Sequence, residues 1–352
     1  MDHSPRFEEA LVYAARLHAD QRRKGSGTPY VSHLLGVAGL VIEDGGSEDE
    51  AIAALLHDAA EDRGGRAQLE TIAERFGPDV ARIVEACSDS LAEVKEPWRD
   101  RKERHLAALQ SASPSAIRVA LADKVHNLRA IVADYRGHGE ALWERFNEDA
   151  DHVWYYGAAL DLLGRRSRSV LVAELERSYA ELRALVAAAP HPIADSYWVV
   201  PGRLLAGEYP GERRPAEAKR KLRRLSWSGV NAFVDLTEAA EYGLVPYAPL
   251  LPDTASHERR PIPDMDVVGR AEMAEILDAV DRALDAGRTV YVHCFGGRGR
   301  TGTVVGCWLV RHGSAPEAAL SRITELRRGT PDGHHPSPET GPQIAMVRTW
   351  SG

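Results

Sequence analysis

The spacing of apolar residues changes once along this chain, at Pro190-His191-Pro192. Before that point, residues 4–165 carry apolar residues at helical spacing and show no alternating strand pattern. A charged, Ala-rich helix over 170–189 ends at the two prolines, because proline breaks a helix. After them, short β-like runs alternate with helical stretches. The pattern predicts a multidomain chain: an all-α domain, then an α/β domain with a central, mostly parallel sheet.

The change of period predicts three segments along the 352 residues. Residues 1–168 form the all-α domain, 169–192 a helical linker, and 193–352 the α/β domain. A chain of this length can bury a separate hydrophobic core in each domain. The predicted strands are the β-like runs at 197–200, 232–236 and 289–292.

Composition narrows the choice of partners and compartment. A net charge of −8 argues against extended nucleic acid as the main partner. The longest apolar run, 303–310, is far too short to cross a membrane, and the first residues lack a signal-peptide pattern. The three cysteines, Cys87, Cys294 and Cys307, fit neither a disulfide framework nor a zinc site. We therefore expect a reduced, cytoplasmic protein with no membrane partner.

A cluster of metal-ligand residues lies on a helix predicted over 48–62. On that helix Glu61 lies one turn after His57, and Asp62 one turn after Asp58. One helix surface would then present an imidazole and three carboxylates, which repel one another without a nearby cation. A divalent metal ion resolves that conflict.

Two further residues of the same type lie on other predicted helices. His33 opens one helix, and Asp123 lies on another, one turn before Asn127. Two histidines and two aspartates suit a harder metal such as Mn²⁺ better than a cysteine-rich zinc site would. The metal would turn a bound water into hydroxide near neutral pH. Glu61 and Asp62 are the candidates to orient that water or to shuttle a proton.

The neighbouring sequence is more specific than a His-Asp pair, which alone would be an ordinary surface dipeptide. It reads QRRKGSGTPY at 21–30, then His33, ALLHD at 54–58 followed by Glu61-Asp62, and LADKVHNLR at 121–129. In their order and spacing these sequence motifs resemble the HD hydrolase domain of the RelA/SpoT family, and most closely the small alarmone hydrolases. The resemblance covers about residues 4–165.

The resemblance implies a Mn²⁺-dependent hydrolase of the stringent response that removes the 3′-pyrophosphate from (p)ppGpp. Matched position by position, it gives metal ligands at His33, His57, Asp58 and Asp123, a catalytic acidic pair at Glu61 and Asp62, and nucleotide contacts at Arg23, Lys24 and Asn127. Arg63 and Ala130 stand where the family often has threonine. These departures leave open whether the nucleotide is a guanosine or an adenosine polyphosphate. Nothing in the chain resembles the family's synthetase domain.

A second site follows the predicted strand at 289–292. Residues 293–302 read HCFGGRGRTG and lead from that strand through a Gly-rich loop into a helix. Backbone N–H groups and the helix dipole make such a loop an anion site, and they favour the thiolate form of Cys294. The guanidinium of Arg300 offers a planar fork for two phosphate oxygens. The loop residues expected to contact the phosphate are Phe295, Gly296, Gly297, Arg298, Gly299 and Thr301.

The Cys-x5-Arg pattern resembles the protein tyrosine and dual-specificity phosphatases over about residues 194–352. The resemblance implies a two-step reaction through a phosphocysteine, with no cofactor. A mobile aspartate would protonate the leaving oxygen, and we choose Asp264 for this role, with Asp266 as the rival. Thr301 would hydrogen-bond the thiolate. Gln343 could position the second-step water, although we favour its interpretation as a surface residue.

These observations predict a bifunctional phosphohydrolase: a metal-dependent nucleotide hydrolase fused to a cysteine phosphatase that acts on phosphomonoesters or phosphoproteins. One alternative is a phosphoprotein phosphatase whose HD domain only senses a nucleotide. Another is an HD domain that acts on a different phosphorylated target, such as NADPH or a tRNA end. The sequence leaves these substrates, the relation between the two domains and the oligomeric state open.

Overall fold

The computed structural model describes residues 4–92 and 96–351. The chain divides into two compact units, Met1–Leu185 and Val186–Gly352. The first is helical and the second contains a five-stranded sheet, which confirms the predicted order of an all-α part followed by an α/β part. The dividing point lies inside the segment 169–192, and the exact domain limits given above remain predictions.

The first unit consists of helices joined by turns and loops. Serine side chains cap several of them: Ser4 accepts a hydrogen bond from the Phe7 N–H, and Ser47 forms a capping box with Glu50. The helices are α1 Pro5–Leu17, α2 Val31–Glu43, α3 Glu48–Leu56, α4 Ala59–Arg63, α5 Gly65–Phe76, α6 Pro78–Cys87, α7 Trp98–Leu109, α8 Pro114–His138, α9 His152–Arg166 and α10 Val170–Ala187. A 3-10 helix spans Gly139–Arg145.

Helix α8 is the centre of this unit and packs against α2, α3, α6 and α9. Its buried positions are mostly apolar and extend along most of its 25 residues. Helix α3 is also buried along nearly its whole length. The packing brings the first turn of α2, the end of α3 and the middle of α8 together. The predicted ligands His33, His57 and Asp123 lie at these three places.

The helix predicted over 48–62 is broken at His57-Asp58, so that prediction was wrong. The His57 side chain provides the physical reason. Its Nδ1 lies 2.8 Å from the Ala54 carbonyl oxygen and competes with the backbone for that acceptor. The break lets the two side chains turn towards the centre of the unit, where α2 and α8 supply their partners.

The second unit is a mixed sheet covered by helices on both faces. The strands are β1 Ser196–Val200, β2 Leu204–Gly207, β3 Val230–Asp235, β4 Ser256–Arg259 and β5 Thr289–His293. Their order is β1-β2-β5-β3-β4, and only the β1–β2 pair is antiparallel. The helices are α11 Pro215–Trp227, α12 Arg270–Asp285, α13 Gly299–Arg311, α14 Pro316–Leu326 and α15 Gly341–Arg348.

Strand β5 lies in the middle of the sheet, between β2 and β3, and contributes to the hydrophobic core on both faces. Its carboxyl end leads directly into the loop that carries Cys294. Open α/β sheets bind ligands at this edge, because the loops and helix N-termini that follow parallel strands meet there. Among the described residues, no helix combines the length and the apolar composition that crossing a bilayer requires.

Candidate functional sites

Four predicted ligands of the first unit converge on one point. His33 Nε2 lies 3.2 Å from His57 Nε2 and 3.2 Å from Asp123 Oδ1. His57 Nε2 lies 3.0 Å from Asp58 Oδ2. Both imidazoles are almost fully buried. The structure therefore brings together residues that are separated by up to 90 positions in the sequence.

Hydrogen bonds on the far side of each ring determine which nitrogen faces this cluster. His57 Nδ1 donates to the Ala54 carbonyl oxygen, so the neutral ring carries its lone pair on Nε2. Burial favours that neutral ring, but without a cation the carboxylates of Asp58 and Asp123 outweigh it and raise the pKa of His57. His33 Nδ1 lies 2.9 Å from His126 Nδ1, and that atom also accepts from a guanidinium N–H of Arg23. His33 Nδ1 must then donate to His126 Nδ1, and the neutral His33 ring directs a lone pair on Nε2 at the cluster.

With both rings neutral, the four groups present two imidazole lone pairs and two carboxylate oxygens to one another, and no donor; the raised pKa of His57 shows that the cluster favours a positive charge at its centre. Acceptors this close together repel unless a cation lies between them. His33, His57 and Asp58 alone can offer three ligand atoms to one ion, and Asp123 Oδ1 lies within 3.5 Å of both imidazole nitrogens. The donor set fits a divalent metal that accepts nitrogen and hard oxygen ligands. Mn²⁺ remains a prediction.

Neighbouring side chains hold the carboxylate of Asp123 in place. Asn127 Nδ2 donates to Asp123 Oδ1 at 2.5 Å, and Lys124 Nζ donates to Asp123 Oδ2 at 2.5 Å. Arg23 Nη2 in turn donates to Asn127 Oδ1 at 3.0 Å. The predicted nucleotide contacts Arg23 and Asn127 are thus connected to the metal-ligand cluster as well as facing the cavity beside it.

Two adjoining cavities, of about 530 and 220 Å³, lie over the cluster. Asp58 and Asp123 line the smaller one, and Arg23 and Lys24 line the larger one, while Asp62 lines both. The larger cavity also has residues that sequence reasoning missed, namely Trp98, Arg101, Lys102, Phe146, His152 and Tyr156. No motif marks these residues: they come from α7, from α9 and from the segment before α9, and only tertiary packing brings them to the cavity.

Glu61 lies in a charged network at the edge of both cavities. Its Oε2 accepts the Asp89 backbone N–H at 3.1 Å, and its Oε1 lies 3.9 Å from an Arg101 guanidinium nitrogen. Asp89 itself pairs with Arg101 at 2.8 Å and with Lys102 at 2.6 Å. Burial, together with the neighbouring carboxylate of Asp89, raises the pKa of Glu61 to about 7. A carboxyl group in this state can exchange a proton near neutral pH.

In the second unit, Cys294 follows β5 and is 3% exposed at the bottom of the predicted loop. The loop contacts the segment that follows β2, because the Tyr209 N–H donates to the Phe295 carbonyl at 2.9 Å. Gly297 has φ +70°, and a Cβ there would lie 2.5 Å from the Gly207 carbonyl carbon. Only glycine fits this position, and the loop then runs into α13 at Gly299.

The guanidinium of Arg300 is held by two carboxylates. Glu241 takes both terminal nitrogens at 2.6 Å each, and Asp264 Oδ1 lies 3.0 Å from Nη2. Asp264 Oδ2 accepts the Tyr242 hydroxyl at 2.6 Å. The loop that carries Asp264 therefore lies over the candidate phosphate site. Sequence reasoning missed Glu241 and Tyr242, which follow β3 and belong to no motif that we had identified.

A buried polar network supports the loop from below. His293 Nε2 lies 2.6 Å from the Tyr247 hydroxyl, and its Nδ1 lies 3.3 Å from the Cys294 carbonyl oxygen. Complete burial lowers the pKa of His293 to about 4, although the Asp235 carboxylate opposes that shift. The imidazole therefore stays neutral in the folded protein at physiological pH.

Other predicted loop residues have more varied surroundings. Phe295 and Gly296 line a groove of about 660 Å³, together with Arg213 and Tyr242. The Arg298 side chain points away, towards Glu339 at 3.1 Å. The Thr301 hydroxyl donates to the Gly207 carbonyl at 3.5 Å; its hydrogen bond to the thiolate stays a prediction.

Gln343 is fully buried, so its interpretation as a surface residue was wrong. Its Oε1 accepts the Glu339 and Thr340 N–H groups at the start of α15, and its Nε2 donates to the Asp266 carbonyl at 3.2 Å. These bonds tie α15 to the loop that carries Asp264 and Asp266. The amide is buried because it meets three backbone groups at once, and a single sequence cannot show that.

Models of known protein families match both units. An HD domain model matches residues 10–154, and a model described as "polymorphic toxin system, DSP-PTPase phosphatase" matches residues 209–314. Each unit of the chain therefore has its own family match, and each match includes the predicted site residues from His33 to Asp123 or from Asp264 to Arg300.

Curated relatives of the first unit are named guanosine-3′,5′-bis(diphosphate) 3′-pyrophosphohydrolase MESH1. The human protein is 40% identical over 124 residues, which is 34% of this chain and 66% of the relative, just under two thirds of its length. The Drosophila melanogaster protein is 34% identical over 157 residues, 43% of this chain and 81% of the relative. A solved structure, Tk-PTP in the active form, is 27% identical and covers 41% of this chain and 94% of its own, with a TM-score of 0.32.

Proposed function

Because the first unit belongs to the HD-domain family that includes the MESH1 3′-pyrophosphohydrolases, and the second carries a DSP-PTPase phosphatase domain, we propose that the protein is a bifunctional, cytoplasmic phosphohydrolase. The first unit would remove the 3′-pyrophosphate of a (p)ppGpp-like nucleotide. The second would dephosphorylate phosphomonoesters through a phosphocysteine.

The observation that carries the first activity is the convergence of four acceptors under a cavity with a cationic wall. His33, His57, Asp58 and Asp123 would hold the metal, which when bound supplies Lewis-acid activation of water near neutral pH. Glu61 has a pKa of about 7 and can accept a proton from that water. Asp62 lines both cavities and would orient the water.

The larger cavity has the chemistry expected of a polyphosphate-nucleotide site. Arg23, Lys24 and Lys102 supply positive charge to its wall, which suits phosphate oxygens. Trp98 and Tyr156 offer aromatic surface for a base. A volume of about 530 Å³ is within the range of small-molecule sites. Charge and aromatic surface together favour a guanosine or adenosine polyphosphate over inorganic pyrophosphate alone.

The phosphatase reaction would begin with attack of the Cys294 thiolate on phosphorus. The S–P bond forms as the ester P–O bond breaks, and Asp264 donates its proton to the leaving oxygen. Arg300 would bind two oxygens of the phosphoryl group throughout. Water then attacks phosphorus, Asp264 takes the water proton, and the S–P bond breaks to release phosphate.

The proposal is tested with the purified full chain, Mn²⁺ and a panel that includes ppGpp, pppGpp, the adenosine analogue, NADPH and a tRNA 3′ end. We expect pyrophosphate release from ppGpp or a close analogue, and its loss in His57→Ala. Phosphate release from NADPH alone would move the first unit to a different substrate. Tight nucleotide binding with no product from any substrate would identify a sensor domain instead.

A further inference from the structure

A chain of two hydrogen bonds in the first unit ends on Asp62. His18 Nδ1 lies 2.7 Å from Gln21 Oε1, and Gln21 Nε2 donates to Asp62 Oδ2 at 2.6 Å. His18 is the residue that ends α1, and its side chain is 1% exposed. Asp62, at the other end, is exposed at the two cavities over the metal-ligand cluster.

The chemistry of Asp62 determines the direction of both hydrogen bonds. An ionised carboxylate can only accept, so the Gln21 amide must point its NH₂ group at Asp62. The amide oxygen of Gln21 then faces His18 and can only accept, so His18 Nδ1 must carry a proton. Burial lowers the pKa of His18 and keeps the ring neutral. His18 is therefore the Nδ1–H tautomer, with a lone pair on Nε2.

That lone pair is the unusual feature of the arrangement. His18 Nε2 is buried and has no hydrogen-bond partner among the described residues. A buried polar atom without a partner costs free energy, so an apolar side chain would serve packing better at this position. The ring also stacks on Tyr30, with centroids 5.4 Å apart, and this contact fixes its plane. Compared with an apolar side chain, histidine therefore contributes one thing at this position, an Nδ1–H donor with a fixed direction.

Two backbone hydrogen bonds fix the position of Gln21. Its N–H donates to the His18 carbonyl at 3.0 Å, and its carbonyl accepts the Tyr30 N–H at 2.9 Å. Asp62, in contrast, is exposed to solvent. Among the described residues, Gln21 donates the one side-chain hydrogen bond that Asp62 accepts. An exposed carboxylate with one fixed partner takes its orientation from that partner.

We propose that His18 and Gln21 form a positioning relay that holds the Asp62 carboxylate in its working orientation beside the metal-ligand cluster. The inference rests on the proposed hydrolase function, because it gives Asp62 a catalytic task. His18 and Gln21 are positioning residues in this scheme: they contact neither the metal ligands nor the reacting atoms. Loss of the relay lowers turnover and leaves metal affinity unchanged. Gln21 also lines the larger cavity, whereas His18 lies outside both cavities, so loss of the His18 side chain leaves substrate affinity unchanged as well.

The test uses the full chain with Mn²⁺ and the nucleotide from which wild type releases pyrophosphate. Gln21→Met keeps the side-chain length and removes both hydrogen bonds, and His18→Leu removes the Nδ1–H. We expect each to lower kcat by about tenfold, the size expected for one hydrogen bond to a charged group, with the Kd for Mn²⁺ within about twofold. In His18→Leu, which lies outside both cavities, KM should also stay within about twofold. The double variant should lose no more than Gln21→Met alone, since both act through one carboxylate.

Two control variants separate positioning from folding. His18→Asn places an amide N–H near the position of Nδ1 and should recover most of the activity that His18→Leu loses. Gln68→Met removes an amide that donates to Tyr13 on α1, outside both cavities, and should leave kcat unchanged. Wild-type kcat in Gln21→Met, or no difference between His18→Asn and His18→Leu, overturns the relay.

A readout that needs no catalysis distinguishes failure of the relay from failure of the proposed function. Histidine ring ¹³C and ¹⁵N shifts report the tautomer, and the His18 signal is assigned from its absence in His18→Leu. The relay requires the Nδ1–H tautomer in wild type and a changed Nδ1 shift in Gln21→Met. A wild-type protein that hydrolyses no nucleotide refutes the proposed function, whereas an Nε2–H tautomer for His18 refutes the relay itself.

Discussion

Asp264 is the residue on which the phosphatase mechanism is most open to test. Its carboxylate lies between Arg300 and the Tyr242 hydroxyl, above the loop that carries Cys294. Asp266, two residues on, instead accepts its neighbour's backbone N–H at 2.8 Å. The two carboxylates of this loop therefore have different surroundings, although the sequence alone left them as rivals.

We expect Asp264→Asn to lower kcat by about 10²- to 10⁴-fold for an alkyl or tyrosyl phosphate, because the leaving oxygen loses its proton donor. An activated aryl phosphate departs without a proton and should lose little. The measurement is kcat at saturating substrate over a series of leaving groups, with Asp266→Asn as the matched control. Equal losses across the series, or the larger leaving-group effect in Asp266→Asn, would argue against Asp264 as the acid.

His293 gives the phosphatase unit a predictable dependence of stability on pH. Burial lowers its pKa from 6.5 to about 4, so the fold favours the neutral ring. The resulting stabilisation is complete above pH 6.5 and is lost as the pH falls towards 4. We expect the free energy of unfolding to decrease by about 2 kcal/mol between pH 7 and pH 5 from this group.

The measurement is urea unfolding at both pH values, following the transition that orthovanadate shifts, since a bound ligand stabilises the unit that binds it. His293→Gln has no titrating ring and should show the smaller decrease. His312→Gln, which removes an exposed histidine just after α13, is the comparison for loss of a histidine elsewhere in the unit. An identical pH dependence in wild type and His293→Gln would show that His293 titrates normally.

At the scale of elements, the first site depends on how closely α2 and α8 approach. A Cβ at Gly36 on α2 would lie 2.2 Å from the His126 ring on α8, and His126 holds the Nδ1 of His33. Because Gly36 has no side chain, α2 and α8 approach closely enough for the His126 ring to orient the predicted metal ligand His33. Gly39, one turn later on α2, faces open space.

We expect Gly36→Ala to displace His126 and weaken Mn²⁺ binding by about tenfold, the usual effect of losing a group that orients a metal ligand. Gly39→Ala should leave the Kd for Mn²⁺ unchanged and stabilise the helix by up to about 1 kcal/mol. Calorimetric titration of both variants with Mn²⁺ makes the comparison. Equal affinities would show that the ring of His126 does not orient His33.

Elements with a regular apolar pattern could be predicted from the sequence, and irregular ones could not. The buried strands β3 and β5 and the long helix α8 follow apolar spacing. Strand β4 has the sequence Ser256-His257-Glu258-Arg259 and lies at the edge of the sheet, so its polar side chains give no strand signal. The break at His57-Asp58 arises from one side-chain hydrogen bond, which helix periodicity does not reveal.

For the whole molecule, spaced motifs were enough to predict two units and the centre of each site. Ligand-type residues such as His33 and Asp123 lie in or beside sequence motifs that follow a recognisable order. The surrounding wall could not be predicted, because Arg101, Lys102 and Glu241 reach the sites through tertiary packing alone. The sequence therefore indicated which ligand-type residues form the centre of each candidate site, and tertiary packing determined which side chains surround them.

The most direct test of two independent chemistries is a crossed assay of pyrophosphate release from ppGpp and phosphate release from p-nitrophenyl phosphate. Cys294→Ser should abolish the second reaction and leave the first at the wild-type rate. His57→Ala, or a strong chelator, should abolish the first and leave the second unchanged. Loss of both reactions in a folded Cys294→Ser protein, or full pyrophosphate release in chelator, would contradict the account.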